Sequence, residues 1–219
     1  MSIKLVSFKL CPFVHRAATL LQHNQSAYEI SYIDLENKPD WFLEISPLGK
    51  VPVLCVNGDP LFESIAILEY LDETASHSLH PADPFRKARN RAFVGIIDSL
   101  FGANYRLSRA ADEAATRAVV EDIQKVFLLL EKEQPGPFFN GAELAFLDVV
   151  AAPFFYRLEL IRDRLPGIYA PTPAVERWST NLAQLEAVKA GVVGDFSDLY
   201  QNYLAKNQAW ISTNTLAAG

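Results

Sequence analysis

The spacing of apolar and polar positions changes character once along the chain, near residue 76. Before that point, short apolar runs alternate with helix-like stretches. Ile3–Phe8 has β-branched residues and no breaker, which predicts a strand. Pro12–His23 predicts a helix that opens on proline, a residue favoured at the first helical position. Tyr28–Ile33 predicts a second strand and Lys38–Glu44 a short helix or turn. Val51–Val56 and Pro60–Phe62 flank Asn57-Gly58-Asp59, a hairpin signal. Ser64–Thr74 predicts a helix with Ile65, Leu68 and Leu71 on its inner side. The order is βαβαββα: a strand–helix–strand start implies parallel pairing, and the hairpin adds an antiparallel pair.

Ser76–Pro84, SHSLHPADP, reads as a linker. Beyond it the period is helical throughout. Phe85–Arg109, Asp112–Glu133, Ala145–Arg164, Pro173–Leu185 and Asp195–Lys206 read as helices, punctuated by Gly136, Gly141, Pro166-Gly167 and Pro171. The expected organisation is a small α/β domain over 1–77, a linker over 78–84 and an all-α helical domain over 85–219.

Composition narrows the function. The chain has 219 residues, 50% hydrophobic and 21% charged, enough to bury a substantial core. Its formal charge of -6 gives no broad reason to bind nucleic acid or an anionic membrane. Its two cysteines, Cys11 and Cys55, make no disulfide framework, and no Cys/His spacing suggests a metal site. The first apolar run is shorter than a signal-peptide core, and no run is long enough to span a bilayer. The expected setting is a reducing cytoplasm.

Three pieces carry chemistry. Cys11 stands immediately before Pro12, where the first helix should begin. A thiolate is stabilised at a helix N-terminus by backbone N–H groups and the helix dipole. Pro12 has no N–H, so the donors must come from Phe13 and Val14, while Lys9, His15 and Arg16 add positive charge. A depressed thiol pKa is expected. Position 14 is valine, so no second cysteine within the turn can resolve a disulfide, and Cys11 would act with a small molecule. The second piece is Ser46–Leu54, SPLGKVPVL. Pro52 cannot donate to a ladder, which favours a strand start or edge, with a cis Val51-Pro52 bond expected. An edge there offers the Val51 backbone to a peptide-like ligand, and Lys50 suits a carboxylate. The third is Phe62–Leu71, FESIAILEYL. Ser64 sits at an N-cap position where an anion can bind, and Glu63 can hold an ammonium group. Each piece also has a plain structural reading: a buried cysteine, a loop entering a strand, a capping serine.

Together, CPF, GKVP and ES occur in an order and spacing that resemble the cytosolic glutathione transferase superfamily. The resemblance spans the whole chain. The Cys-Pro-Phe start is similar to the cysteine-type branch: omega and lambda classes, dehydroascorbate reductases and chloride intracellular channel proteins. The run FFYRLELI, ending at Ile161, is similar to omega-class sequences. The resemblance implies a thioredoxin-like, glutathione-binding first domain and a helical domain that contributes the acceptor pocket. It implies glutathione as cosubstrate and Cys11 as the catalytic thiol. Phe13 would line the glutathione site, Lys50 would meet the glycyl carboxylate, and Val51, ahead of Pro52, would pair with the cysteinyl part. Glu63 and Ser64 would bind the γ-glutamyl headgroup. Phe101, Tyr105 and Tyr156, with Phe155, would line the acceptor pocket.

The implied activity is thiol transfer or reduction through a Cys11–glutathione mixed disulfide, on dehydroascorbate, S-substituted glutathione or a glutathionylated acceptor. A homodimer, a small hydrophobic or disulfide acceptor, and no membrane or nucleic-acid partner go with it. Two rivals stand beside it: ordinary conjugation of glutathione to electrophiles, with Ser7 as a conceivable hydroxyl, and a non-catalytic channel-like or scaffold role. Phe13–Leu21 is short and carries His15 and Arg16, which argues against insertion. His15 is expected to tune the thiol or simply to pack, Arg16 to form an ion pair, and Cys55 to be buried and inert. The family pattern of a Ser or Thr three residues before a buried aspartate is half absent, because Ala145 precedes Asp148.

Overall fold

A computed structural model describes residues 2–133 and 136–217. Four strands alternate with helices at the start: β1 (Ile3–Ser7), α1 (Pro12–His23), β2 (Glu29–Tyr32), α2 (Asp40–Ile45), β3 (Val53–Val56), β4 (Asp59–Phe62) and α3 (Ser64–Glu73). Six helices follow: α4 (Pro84–Leu107), α5 (Glu113–Glu131), α6 (Phe146–Glu159), α7 (Pro173–Gln184), α8 (Glu186–Ala190) and α9 (Phe196–Lys206). Residues Met1–Leu79 with Glu186–Gly194 form one compact unit, and His80–Leu185 with Asp195–Gly219 form the other. The stretch 186–194 therefore packs with the first unit, although it lies far inside the half expected to be the helical domain.

In the first unit the sheet order is β2-β1-β3-β4. β1 pairs with β2 in parallel and with β3 antiparallel, and β3 pairs antiparallel with β4. Side chains alternate across the pleat. Val6 and Val53 pack with Ile33 and with Phe42 of α2, while Leu5 and Leu54 lie on the opposite pleat, the face met by α1 and α3. The β3–β4 turn is Asn57-Gly58, with φ of 52° and 98°. Both lie in the left-handed region that a two-residue turn requires and that Asn and Gly tolerate. This is the expected thioredoxin-like arrangement. The linker is tied down: the Asp72 carboxylate of α3 accepts from Ser78 Oγ and the Leu79 N–H, both at 2.6 Å.

In the second unit α4 packs on α5 and α6, and α7 on α5 and α6. Phe127, Phe154, Phe155 and Trp178 fill its core. The helix expected over Ala145–Arg164 ends at Glu159, and a short 3-10 turn covers Arg162–Arg164. α8 was not legible: its five residues follow α7 after Leu185 alone and carry too little periodicity to read. Among the described residues no helix is long and apolar enough to cross a membrane.

The N-terminus of α6 is held by an aspartate. Asp148 is fully buried and accepts from the Ala145 N–H at 2.6 Å, the Phe139 N–H at 2.9 Å and Trp178 Nε1 at 2.5 Å. The reciprocal half of the box is absent because Ala145 has no side-chain oxygen, yet its backbone already has the extended N-cap conformation, φ -118° and ψ 163°. Ala145→Ser should therefore stabilise the protein by about 1 kcal/mol through a new bond to the Asp148 N–H. An unchanged denaturant midpoint would show that the hydroxyl does not cap.

Candidate active site

Cys11 is the N-cap residue of α1, in extended conformation at φ -71° and ψ 119°, with Pro12 as the first helical residue. Its N–H donates to the Phe8 carbonyl at 2.9 Å, and its own carbonyl accepts the His15 N–H at 3.1 Å. The thiol is half-buried, and Sγ donates to the Val51 carbonyl at 3.8 Å. Local sequence puts it there: β1 runs out at Ser7, and proline opens the helix five residues on.

Val51 lies just ahead of β3, and Val51-Pro52 is cis, as expected. β3 is not the edge expected for strand addition, because it lies between β1 and β4. Val51 instead precedes the ladder, which begins at Val53 opposite Phe62. β4 ends at Phe62, so the Glu63-Ser64 corner that follows it lies at the same end of the sheet as Val51. The β1–β3 register, Val6 opposite Val53, likewise sets Phe8 opposite Val51. Cys11, Val51 and Ser64 thus converge on one end of the sheet.

Ser64 is the first residue of α3, and the N-cap is Glu63. The capping role expected for Ser64 is not its role here, because no side-chain cap bond is made. Glu63 has φ of 69°, a left-handed conformation that costs a non-glycine residue about 1–3 kcal/mol. Such strain collects where backbone groups must face a ligand. Glu63 is exposed, Ser64 is half-buried, and the first-turn N–H groups of α3 lie beside them.

Lys50 is exposed, and its loop is pinned by a residue the sequence did not single out. Ser46 is buried; its Oγ donates to the Lys50 carbonyl at 2.8 Å and accepts the Lys50 N–H at 2.9 Å. Gly49, at φ 58°, makes the turn. Lys38 folds over it, since a Cβ at Gly49 would stand 3.4 Å from Lys38 Nζ. Two cations, Lys38 and Lys50, therefore flank this loop. Lysine eleven positions before Gly49 has no local signal, so only the fold reveals it.

Other expectations fare differently. His15 is buried, and its Nε2 donates to the Val188 carbonyl at 2.7 Å, so it packs against α8. Arg16 is fully buried, with its guanidinium 5.2 Å from the Phe13 ring in a cation–π contact. Cys55 is half-buried rather than sealed; burial pushes its thiol pKa up, against the pull of Lys4. Ser7 is buried within β1. Of the acceptor-pocket residues, Phe101 packs edge-on against Phe154 in the core of the helical unit. Tyr105 is exposed under the Arg109 guanidinium at 3.8 Å, and the half-buried Tyr156 packs on Phe196. Among the described residues no group of His, Cys, Asp and Glu is arranged to hold a metal ion.

What converges is a thiol at a helix start, the Val51 backbone ahead of the ladder, two lysines by a pinned loop, and a strained Glu63-Ser64 corner. Residues 10–74 match the family model described as glutathione S-transferase, N-terminal domain. The chain is 35% identical over 198 residues to Glutathione S-transferase U1 of Arabidopsis thaliana, covering 86% of this chain and 87% of that one. It is 30% identical over 208 residues to Glutathione S-transferase omega-1 of Sus scrofa, covering 90% and 86%. Among solved structures, rice GST1 (OsGSTU1) in complex with glutathione superposes with a TM-score of 0.82 at 25% identity, over 95% of this chain and 97% of that one.

Proposed function

The chain belongs to the glutathione transferase family and takes glutathione as its cosubstrate, and from that premise we propose that it works by thiol transfer through Cys11. The observation that carries this reading is the Cys11 thiol itself, placed at the start of α1 and 3.8 Å from the Val51 carbonyl.

In this reading the γ-glutamyl headgroup lies at Glu63 and Ser64: the carboxylate meets the Ser64 hydroxyl and the first N–H groups of α3, and the ammonium meets Glu63. The cysteinyl part pairs with the Val51 backbone, which stands outside the ladder. The glycyl carboxylate meets Lys50, with Lys38 beside it. Phe13 lines the site. The Cys11 thiolate attacks the glutathione sulfur of a mixed disulfide. An S–S bond forms to Cys11, the acceptor leaves as its own thiolate, and the acceptor sulfur is reduced. A second glutathione thiolate then attacks the Cys11-bound glutathione sulfur, releasing glutathione disulfide and restoring the Cys11 thiolate. The acceptor is a small hydrophobic or disulfide compound, and the protein acts as a homodimer.

Incubation with glutathione disulfide tests the reading. One glutathione adduct is expected on Cys11, removed by further glutathione. A protein that never carries the adduct, yet joins glutathione to an aryl halide, would replace thiol transfer by conjugation. Against that second reading, Ser7, the hydroxyl it would use, is buried.

The headgroup assignment makes its own prediction. Ser64→Ala removes a hydrogen bond to a charged group, so the Kd for glutathione should rise about tenfold or more. Calorimetric titration reads it, and an unchanged Kd would move the headgroup elsewhere.

A further inference from the structure

α8 packs against α1, the helix that starts at Cys11. The contact has a definite centre. The buried His15 imidazole donates through Nε2 to the Val188 carbonyl at 2.7 Å, across 173 positions of chain. That carbonyl also accepts the Gly191 N–H at 3.2 Å. It belongs to the last turn of a five-residue helix, where carbonyls lack helical partners, and two donors match its two lone pairs. Gly191 supplies the space: a Cβ there would stand 3.0 Å from His15 Cδ2 and 3.2 Å from both the Thr19 N and the Ala187 carbonyl oxygen. The backbone of the same histidine donates to the Cys11 carbonyl at 3.1 Å. One residue therefore joins the nucleophile's end of α1 to a segment from the far end of the sequence.

We infer that His15 is a positioning residue for Cys11. Its bond to Val188 holds the first turn of α1 in place and so sets the reactivity of the thiol. The effect of a helix N-terminus on an anion falls off within about a turn. Sγ makes no side-chain cap bond to α1, so the helix acts on it through its field; a small roll or lift of α1 would weaken that field at Sγ and leave the thiol facing the Val51 carbonyl, which favours the protonated form. The inference rests on the proposed role of Cys11 as nucleophile.

Three variants test it. His15→Leu removes the donor and keeps the bulk. His15→Gln keeps an N–H able to reach Val188. Gly191→Ala leaves the imidazole intact but wedges α8 from α1. The readouts are the pH profile of Cys11 alkylation by iodoacetamide, followed at peptide level, and amide exchange over 12–19. His15→Leu and Gly191→Ala should alkylate about tenfold more slowly at pH 7, equivalent to about one unit of thiol pKa, with faster exchange in α1. His15→Gln should stay within about twofold of wild type. A His15→Leu protein with faster exchange but the wild-type profile would reduce the anchor to a stability device and overturn the inference. So would a glutamine variant no better than leucine. If His15→Leu does not fold, Gly191→Ala decides alone, and a wild-type profile there overturns the inference. An ordinary thiol profile in the wild type would strike the nucleophile reading before any variant is made, while the exchange data still report whether the anchor holds α1.

Discussion

Cys11→Ser is expected to lower glutathione-dependent reduction of a mixed disulfide by about a thousandfold or more without disturbing the fold. The step requires an S–S bond to the enzyme, and a serine oxygen forms none. A hydroxyl is also almost wholly protonated where a cysteine at a helix start is partly ionised. The substitution is close to isosteric, and the thiol's contact with the Val51 carbonyl is a long one, 3.8 Å. A serine there can still donate to that carbonyl, so the loss is one of chemistry rather than packing. The check is a steady-state assay of both variants alongside aryl-halide conjugation and a thermal melt. Retained reduction in the serine variant would remove Cys11 from the mechanism. Conjugation that survives or rises in it would mark glutathione activation by a neighbouring hydroxyl or backbone group as a separate capacity of the site.

The largest stability effect is expected from Asp148→Ala, about 4 kcal/mol. Three buried donors, the Phe139 and Ala145 N–H groups and Trp178 Nε1–H, lose the acceptor they share. Each buried donor left without a partner costs about 1–3 kcal/mol. Urea titration at pH 7.5 measures the loss, and a cost below about 1 kcal/mol would mean that the N-terminus of α6 is held by packing alone. The carboxyl also predicts a pH dependence. Burial pushes its pKa from 3.8 to about 7, while the three donated bonds hold it down. A raised pKa means that the folded state keeps a proton that the unfolded chain has released. The contribution of this group to stability is therefore full below about pH 4, and it falls as pH rises toward about 7. In Asp148→Ala that part of the slope should vanish, and an identical slope in both proteins would assign it to other groups.

Much of this site can be read in one dimension because its chemistry is local. Cys11 beside Pro12 encodes a thiol at a helix start, since proline at the first helical position fixes where the helix begins. Asn57-Gly58 encodes a two-residue turn and hence the β3–β4 register. Glu63 and Ser64 can be found as the entrance to α3, but not the left-handed backbone of Glu63, which a glutamate adopts only when its surroundings impose it. Ser46 and Lys38 carry no signal, because a serine in a loop and a lysine before a short helix are ordinary until folding brings both to the Lys50 turn.

By itself, then, the sequence determined the αβ order of the first part, the helical character of the rest and the family to which the chain belongs. These depend on period, turn chemistry and residue type, all of which act within a few residues. Only the tertiary structure decided that β3 is interior, that Val51 stands outside the ladder, and that His15 faces α8. It alone showed that Glu186–Gly194 packs with the first unit. Those outcomes depend on which surfaces bury one another across long stretches of chain. A hydrogen bond spanning 173 positions leaves no trace in the spacing of either partner's neighbours.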